Sequence, residues 1–184
     1  MHDISRRKAL AIAGYSFAIS RLMQAADGLE PAPHFSAKTL GGESFNNQSL
    51  AGKVVLVEFW ATWCGYCRSD AGPLDDLTQE FQKDGLVVLA VDVAESKKTV
   101  QAFLASHPKK AKVIMMTDTN LAAMFAAKSF PHYVLINREG NVAGEQKGAG
   151  GESALRRLLR RAGLESKDDD DAPVELQSSP RRDI

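Results

Sequence analysis

Cys64 and Cys67 are the only cysteines of a 184-residue chain, and they stand two residues apart in Trp63-Cys64-Gly65-Tyr66-Cys67. One pair is too few for a disulfide scaffold or a four-cysteine zinc site, so any task the sulfurs share is done by the pair. A Cys-x-x-Cys placed at the start of a helix has its own chemistry. The positive end of the helix dipole and the unpaired amides of the first turn favour the thiolate. The second sulfur lies one turn further on, close enough to close a disulfide. Such a site presents a nucleophilic, more exposed sulfur, Cys64, and a recessed sulfur, Cys67, able to resolve a mixed disulfide. The competing use of the same residues is half of a zinc or copper site completed by His107 or His132.

The elements that must hold this pair are legible as changes of period. Val54-Val-Leu-Val-Glu-Phe-Trp60 is an apolar run of β-branched and aromatic residues, the signature of a strand buried on both faces. From Cys67 to about Lys83, Leu74, Leu77 and Phe81 form the stripe of an amphipathic helix. Leu86 to Val93 reads as a second buried strand. Ser96 to His107 reads as a helix ended by Pro108, because the residue before a proline is pushed out of helical geometry. A short strand at 113–116 and a helix from Asn120 to about Lys128, capped by Asn120 or Asp118, come next. His132 to Ile136, the turn Asn137-Arg-Glu-Gly140 and the run from Asn141 to Lys147 form an antiparallel hairpin. Glu152 to Arg161 closes the fold as a helix with Leu155, Leu158 and Leu159 on one face. Strands alternating with helices imply a mixed α/β sheet.

Inside the first strand Glu58 is an acid where a charge is costly without a partner or a use. It is either a buried carboxyl satisfied by hydrogen bonds or the proton acceptor for Cys67, its proton held more tightly by desolvation. Trp63 covers and shapes the site beside Cys64. His132 reads as an ordinary strand histidine, and Lys109, Lys110 and Lys112 as a solvated loop.

Val57-Glu-Phe-Trp-Ala-Thr-Trp-Cys-Gly-Tyr-Cys67 together with Ser129-Phe130-Pro131 resembles the strand, active-site turn and cis-proline loop of the thioredoxin superfamily. The resemblance covers roughly residues 33–163 and implies a thioredoxin-like fold, a central mixed β-sheet flanked by helices. It also implies that Pro131 is cis and packs against the disulfide, leaving the backbone of Phe130 to pair with an extended substrate. A finer resemblance is to the exported ResA/TlpA branch. Residues 94–116 look like its helix-strand insertion, and Asp92-Val-Ala-Glu-Ser-Lys97 resembles the segment whose glutamate faces the active site, here Glu95. Four departures stand out. Tyr66 replaces the branch's usual proline, Phe130 is bulky for its place, Pro73 falls one residue late, and Glu58 matches thioredoxins proper rather than the exported branch.

Twenty-three basic and 23 acidic residues cancel, which argues against a nucleic-acid binder. The balance conceals an asymmetry: residues 1–26 carry +3, residues 27–164 carry +1 and residues 165–184 carry −4. The first segment, Ser5-Arg-Arg-Lys8 followed by an apolar run, reads as an export signal or N-terminal anchor and resembles a twin-arginine leader, with Ala25 and Ala26 as weak cleavage positions. The middle is one domain. The last, with four consecutive aspartates, has the composition of a disordered acidic tail.

The resemblance implies a periplasmic thiol-disulfide oxidoreductase acting as a reductant in cytochrome c maturation or metal-site assembly. Its catalytic residues are Cys64, Cys67, Glu58 and Glu95, and Trp63, Tyr66, Phe130 and Pro131 contact the substrate. No metal and no cofactor beyond the redox-active disulfide are implied. Partners would be protein thiols or disulfides and a membrane thiol carrier of the DsbD or CcdA type; nothing in the chain calls for more than a monomer. Disulfide isomerase or oxidase activity, suggested by Gly65-Tyr66, and a metal-binding chaperone on the same fold stay open as alternatives.

Overall fold

The computed structural model describes residues 28–166. The leader over 1–26 and the tail from 167 onward lie outside the described residues. Seven strands form one sheet in the order β2-β1-β5-β4-β3-β6-β7: β1 Ser36–Thr39, β2 Ser44–Asn46, β3 Val54–Trp60, β4 Leu86–Asp92, β5 Lys112–Thr119, β6 His132–Ile136 and β7 Val142–Lys147. The helices are α1 Gly65–Glu80, α2 Lys97–Ser106, α3 Leu121–Met124 and α4 Gly151–Arg160. Strands β3, β4 and β5 run parallel, and β6 and β1 join them antiparallel. The sheet is therefore mixed, as the alternation of periods implies.

All seven residues of β3 are buried. The strand has a neighbour on each side and cover on both faces, which is why its sequence is a continuous apolar run. Leu56, Glu58 and Trp60 share one face with Ala90 and Asp92 of β4. This face lies under α1 and α2: Trp60 contacts Phe103 of α2, and Tyr133 of β6 reaches Asp70 of α1. On the opposite face Phe59 packs toward His132 and Phe125. No helix among the described residues is long and apolar enough to cross a membrane.

Four elements differ from the expectation. Strands β1 and β2 have four and three residues, too short for a period to register. Strand β5 runs to Thr119, beyond the apolar stretch, because its end pairs with β1. The helix expected to reach Lys128 stops at Met124; Ala126 takes a positive φ of 44° that a helix cannot continue through. Asn120 does not cap it. Its side chain instead ties the approach to β1, accepting from Ser36 N and donating to His34 O.

Candidate active site

After Trp60 the chain turns through Ala61-Thr62-Trp63 and enters α1 with Cys64 as the N-cap residue, in extended conformation at φ −75° and ψ 104°. The cap hydrogen bond that serine or aspartate oxygen usually accepts is accepted here by sulfur: Cys67 N–H donates to Cys64 Sγ at 3.1 Å. The two sulfurs are joined as a disulfide. Exposure separates them only slightly, at 5% for Cys64 and 1% for Cys67. What distinguishes them is position, one at the cap and the other inside the first turn. Around this nearly buried pair stand Trp63 and Tyr66, 64% and 74% exposed, with Phe130 meeting Trp63 edge-on at 6.2 Å. The Phe130–Pro131 peptide bond is cis.

Glu58 is fully buried, and Lys109 Nζ donates to its Oε2 at 2.9 Å. The solvated loop expected around Lys109 is corrected by this contact: its side chain is only 5% exposed, and its ammonium also lies 4.6 Å from the centre of the Trp60 ring. A buried carboxylate and an indole face together draw in a cation that three successive loop lysines could not have singled out. Lys110 and Lys112 stay at the surface, bonded to Gln79 and Glu43. Burial holds the Glu58 proton more tightly than in water; the Lys109 charge and hydrogen bond oppose that effect, and Asp75 and Asp70 reinforce it. Lys109 and Trp60 line a cavity of about 70 Å³ together with Cys67, Phe103 and His107, so the ion pair lies behind the second sulfur.

Glu95 is held by Thr62. It clamps the turn before Cys64: Thr62 N–H donates to its Oε2 and Thr62 Oγ1 to its Oε1, each at 2.6 Å. Arg68 Nη1 donates to the Thr62 carbonyl at 2.9 Å, so every polar group of Thr62 is engaged. Desolvation raises the Glu95 carboxyl, but the bonds from Thr62 outweigh it and leave the group lowered. The second carboxyl near Glu95 is Asp92, which is fully buried and raised to about 7 by desolvation first and then by Glu95. Asp92 is the last residue of its apolar strand, whereas Glu58 stands inside one, and as a polar strand end it drew no functional reading.

Asp70 was also missed, since its place on α1 among polar neighbours gives no signal. It is buried and accepts from Tyr133 Oη at 3.1 Å, Gly150 N at 3.2 Å and Gly151 N at 3.0 Å. The active-site helix thus satisfies amides at the start of α4 that a helix leaves unpaired. Replacing Asp70 with alanine strands the buried Tyr133 hydroxyl and leaves two part-buried amides without their acceptor, and we expect a loss of roughly 2 kcal/mol or more, read by urea denaturation. His132 is buried and turned to Glu145, Nε2 to Oε2 at 3.0 Å, and His107 is stacked on Phe103 at 4.3 Å.

Two sulfurs that cycle between dithiol and disulfide at the end of an interior strand of this mixed sheet perform the chemistry of thioredoxin-fold thiol-disulfide oxidoreductases, and this chain is an enzyme of that class. It belongs to the Redoxin family, whose pattern matches residues 29–159. Thiol-disulfide oxidoreductase ResA of Bacillus subtilis is 31% identical over 124 residues, covering 67% of this chain and 69% of that protein. ResA of Halalkalibacterium halodurans is 28% identical over 130 residues, covering 71% and 74%. Among solved structures, a thioredoxin-family thiol:disulfide interchange protein from Chlorobium tepidum is 28% identical with a TM-score of 0.66, covering 73% of this chain and 96% of that one.

Proposed function

We propose that the protein is an exported reductant of protein disulfides. The observation that carries the reading is a nearly buried sulfur pair at a helix cap, ringed by the exposed rings of Trp63 and Tyr66. Such a collar suits a polypeptide laid across the turn, with the backbone at Phe130 as its pairing edge and Pro131 against the disulfide. Cys64 thiolate attacks one target sulfur and the other leaves as a thiolate that takes up a proton. Cys67 gives its proton to Glu58 and attacks Cys64 Sγ, and the second target sulfur leaves as a thiolate that takes up the proton Glu58 gives back. Two electrons and two protons have then passed to the target, and the enzyme is left oxidised.

The resemblance of the active-site turn and the 94–116 segment to the exported ResA/TlpA branch supports the reducing direction, and the basic leader supports an extracytoplasmic, periplasmic setting. There the targets would be cysteines of apocytochrome c or of a metal-site assembly protein, with a membrane carrier of the DsbD or CcdA type restoring the dithiol. The protein works as a monomer and needs no cofactor beyond Cys64–Cys67. Equilibrating the full chain with glutathione buffers tests the direction: a potential well below about −200 mV is expected, and one well above it makes the protein an oxidase or isomerase. Stoichiometric uptake of copper or zinc without turnover of insulin would instead favour a metal chaperone.

A further inference from the structure

Among the described buried acids, Asp92 is the one with no hydrogen-bond donor and no task in the exchange steps above. It ends β4, paired in register with Trp60 on one side and Met115 on the other. Neither of its side-chain oxygens has a hydrogen-bond donor among the described groups, although the residue is completely buried. Three residues on, Glu95 comes back against it. The return is made through Ala94 at φ 66°, a left-handed conformation uncommon for a residue with a side chain. The chain accepts an awkward backbone at Ala94 where Glu95 returns to reach both Thr62 groups.

We propose that Asp92 is a positioning residue for the thiol chemistry: protonated, it donates to the Glu95 carboxylate and so steadies the anion that clamps Thr62, two residues before Cys64. Two facing carboxyls attract only when a proton lies between them, and otherwise they repel across a dry gap. Among the described residues, the elements packed around Asp92 supply no other counter-charge. On the same sheet face Glu58 is two residues before Trp60 and already holds Lys109. Across β5 stands Met115; α2 turns Phe103 to Trp60 and leaves Lys97 and Lys98 exposed. Arg68 of α1 is bound to the Thr62 carbonyl. Asp92 is therefore neutral below about 7 and ionised above it, and the clamp is tight on the acid side and loosened on the alkaline side.

This goes beyond the redox direction proposed above, because the measurement reads a proton on the protein alone. In the full-length oxidised protein the Thr62 amide, which donates to Glu95, should show an NMR inflection near pH 7 together with the Asp92 side-chain carboxyl carbon. Asp92→Asn supplies a permanent donor, so the Thr62 inflection should vanish; Asp118→Asn, at an exposed acid of β5, should leave it intact. In the reduced protein the pH profile of Cys64 alkylation should lose the same inflection in Asp92→Asn. An Asp92 carbon that titrates below pH 5 in the wild-type protein overturns the proposal whether or not any variant folds. So does a Thr62 inflection that persists in Asp92→Asn.

Discussion

Replacing Cys64 with serine reduces turnover of insulin disulfides to the uncatalysed background, whereas replacing Cys67 with alanine leaves an enzyme that attacks once and stays attached. The second variant should accumulate mixed disulfides through Cys64, identifiable by mass spectrometry of the captured partners. The asymmetry follows from position on α1 rather than from exposure, which differs by only a few per cent. Cys64 Sγ occupies the cap and already accepts an amide hydrogen bond, so a negative sulfur there gains both a donor and the positive helix end. Cys67 sits one turn inside, behind the first sulfur as an incoming target meets it. If Cys64→Ala captures the same partners equally well, the two roles are reversed.

Lys109→Met should be the most damaging change outside the sulfurs, costing about 3–5 kcal/mol at neutral pH, because it leaves the buried Glu58 charge without its cation. The deficit depends on pH in a defined direction. Glu58 holds its proton above the ordinary value of 4.5 even in the presence of Lys109, and losing the cation raises it further. Between the unfolded and folded values the native state binds the extra proton, so the variant loses about 1.4 kcal/mol of stability per pH unit as pH rises and recovers as pH falls toward 5. Urea titrations at several pH values measure this. Adding Glu58→Gln to Lys109→Met should restore most of the loss, since a neutral amide has no charge to strand. Equal losses at pH 5 and pH 8 would show that packing over Trp60, and not charge, is what Lys109 contributes.

The Cys-x-x-Cys, the strand before it and the helix after it were legible because each depends on contacts close in the chain. A run of β-branched and aromatic residues must be buried, and a helix start polarises whatever occupies its cap. Glu58 stood out for the same local reason, being the one charge in β3. The limits are equally local in origin. The helix begun at Leu121 was overestimated because Ala126 takes a positive φ, and its start goes uncapped because Asn120 has a distant carbonyl and amide to serve. Glu95 is placed at the site by resemblance alone, and its partners, the turn at Thr62 and Asp92, come from the fold.

Lys109 and Asp70 share the property that hid them: each owes its burial to a partner far away in the chain. Lys109 meets Glu58 across 51 residues, and Asp70 meets Tyr133 and Gly150 across 63 and 80. Asp92 looks like the polar end of a strand until the Ala94 turn brings Glu95 back onto it. Residue order was enough to establish that two sulfurs form a thiol-exchange site at a strand-to-helix junction, since a hydrophobic period and a helix dipole act over a few residues. Which charges stand behind those sulfurs was settled by folding, because a buried ion pair or a shared proton exists only where the sheet has brought distant side chains out of water and against each other.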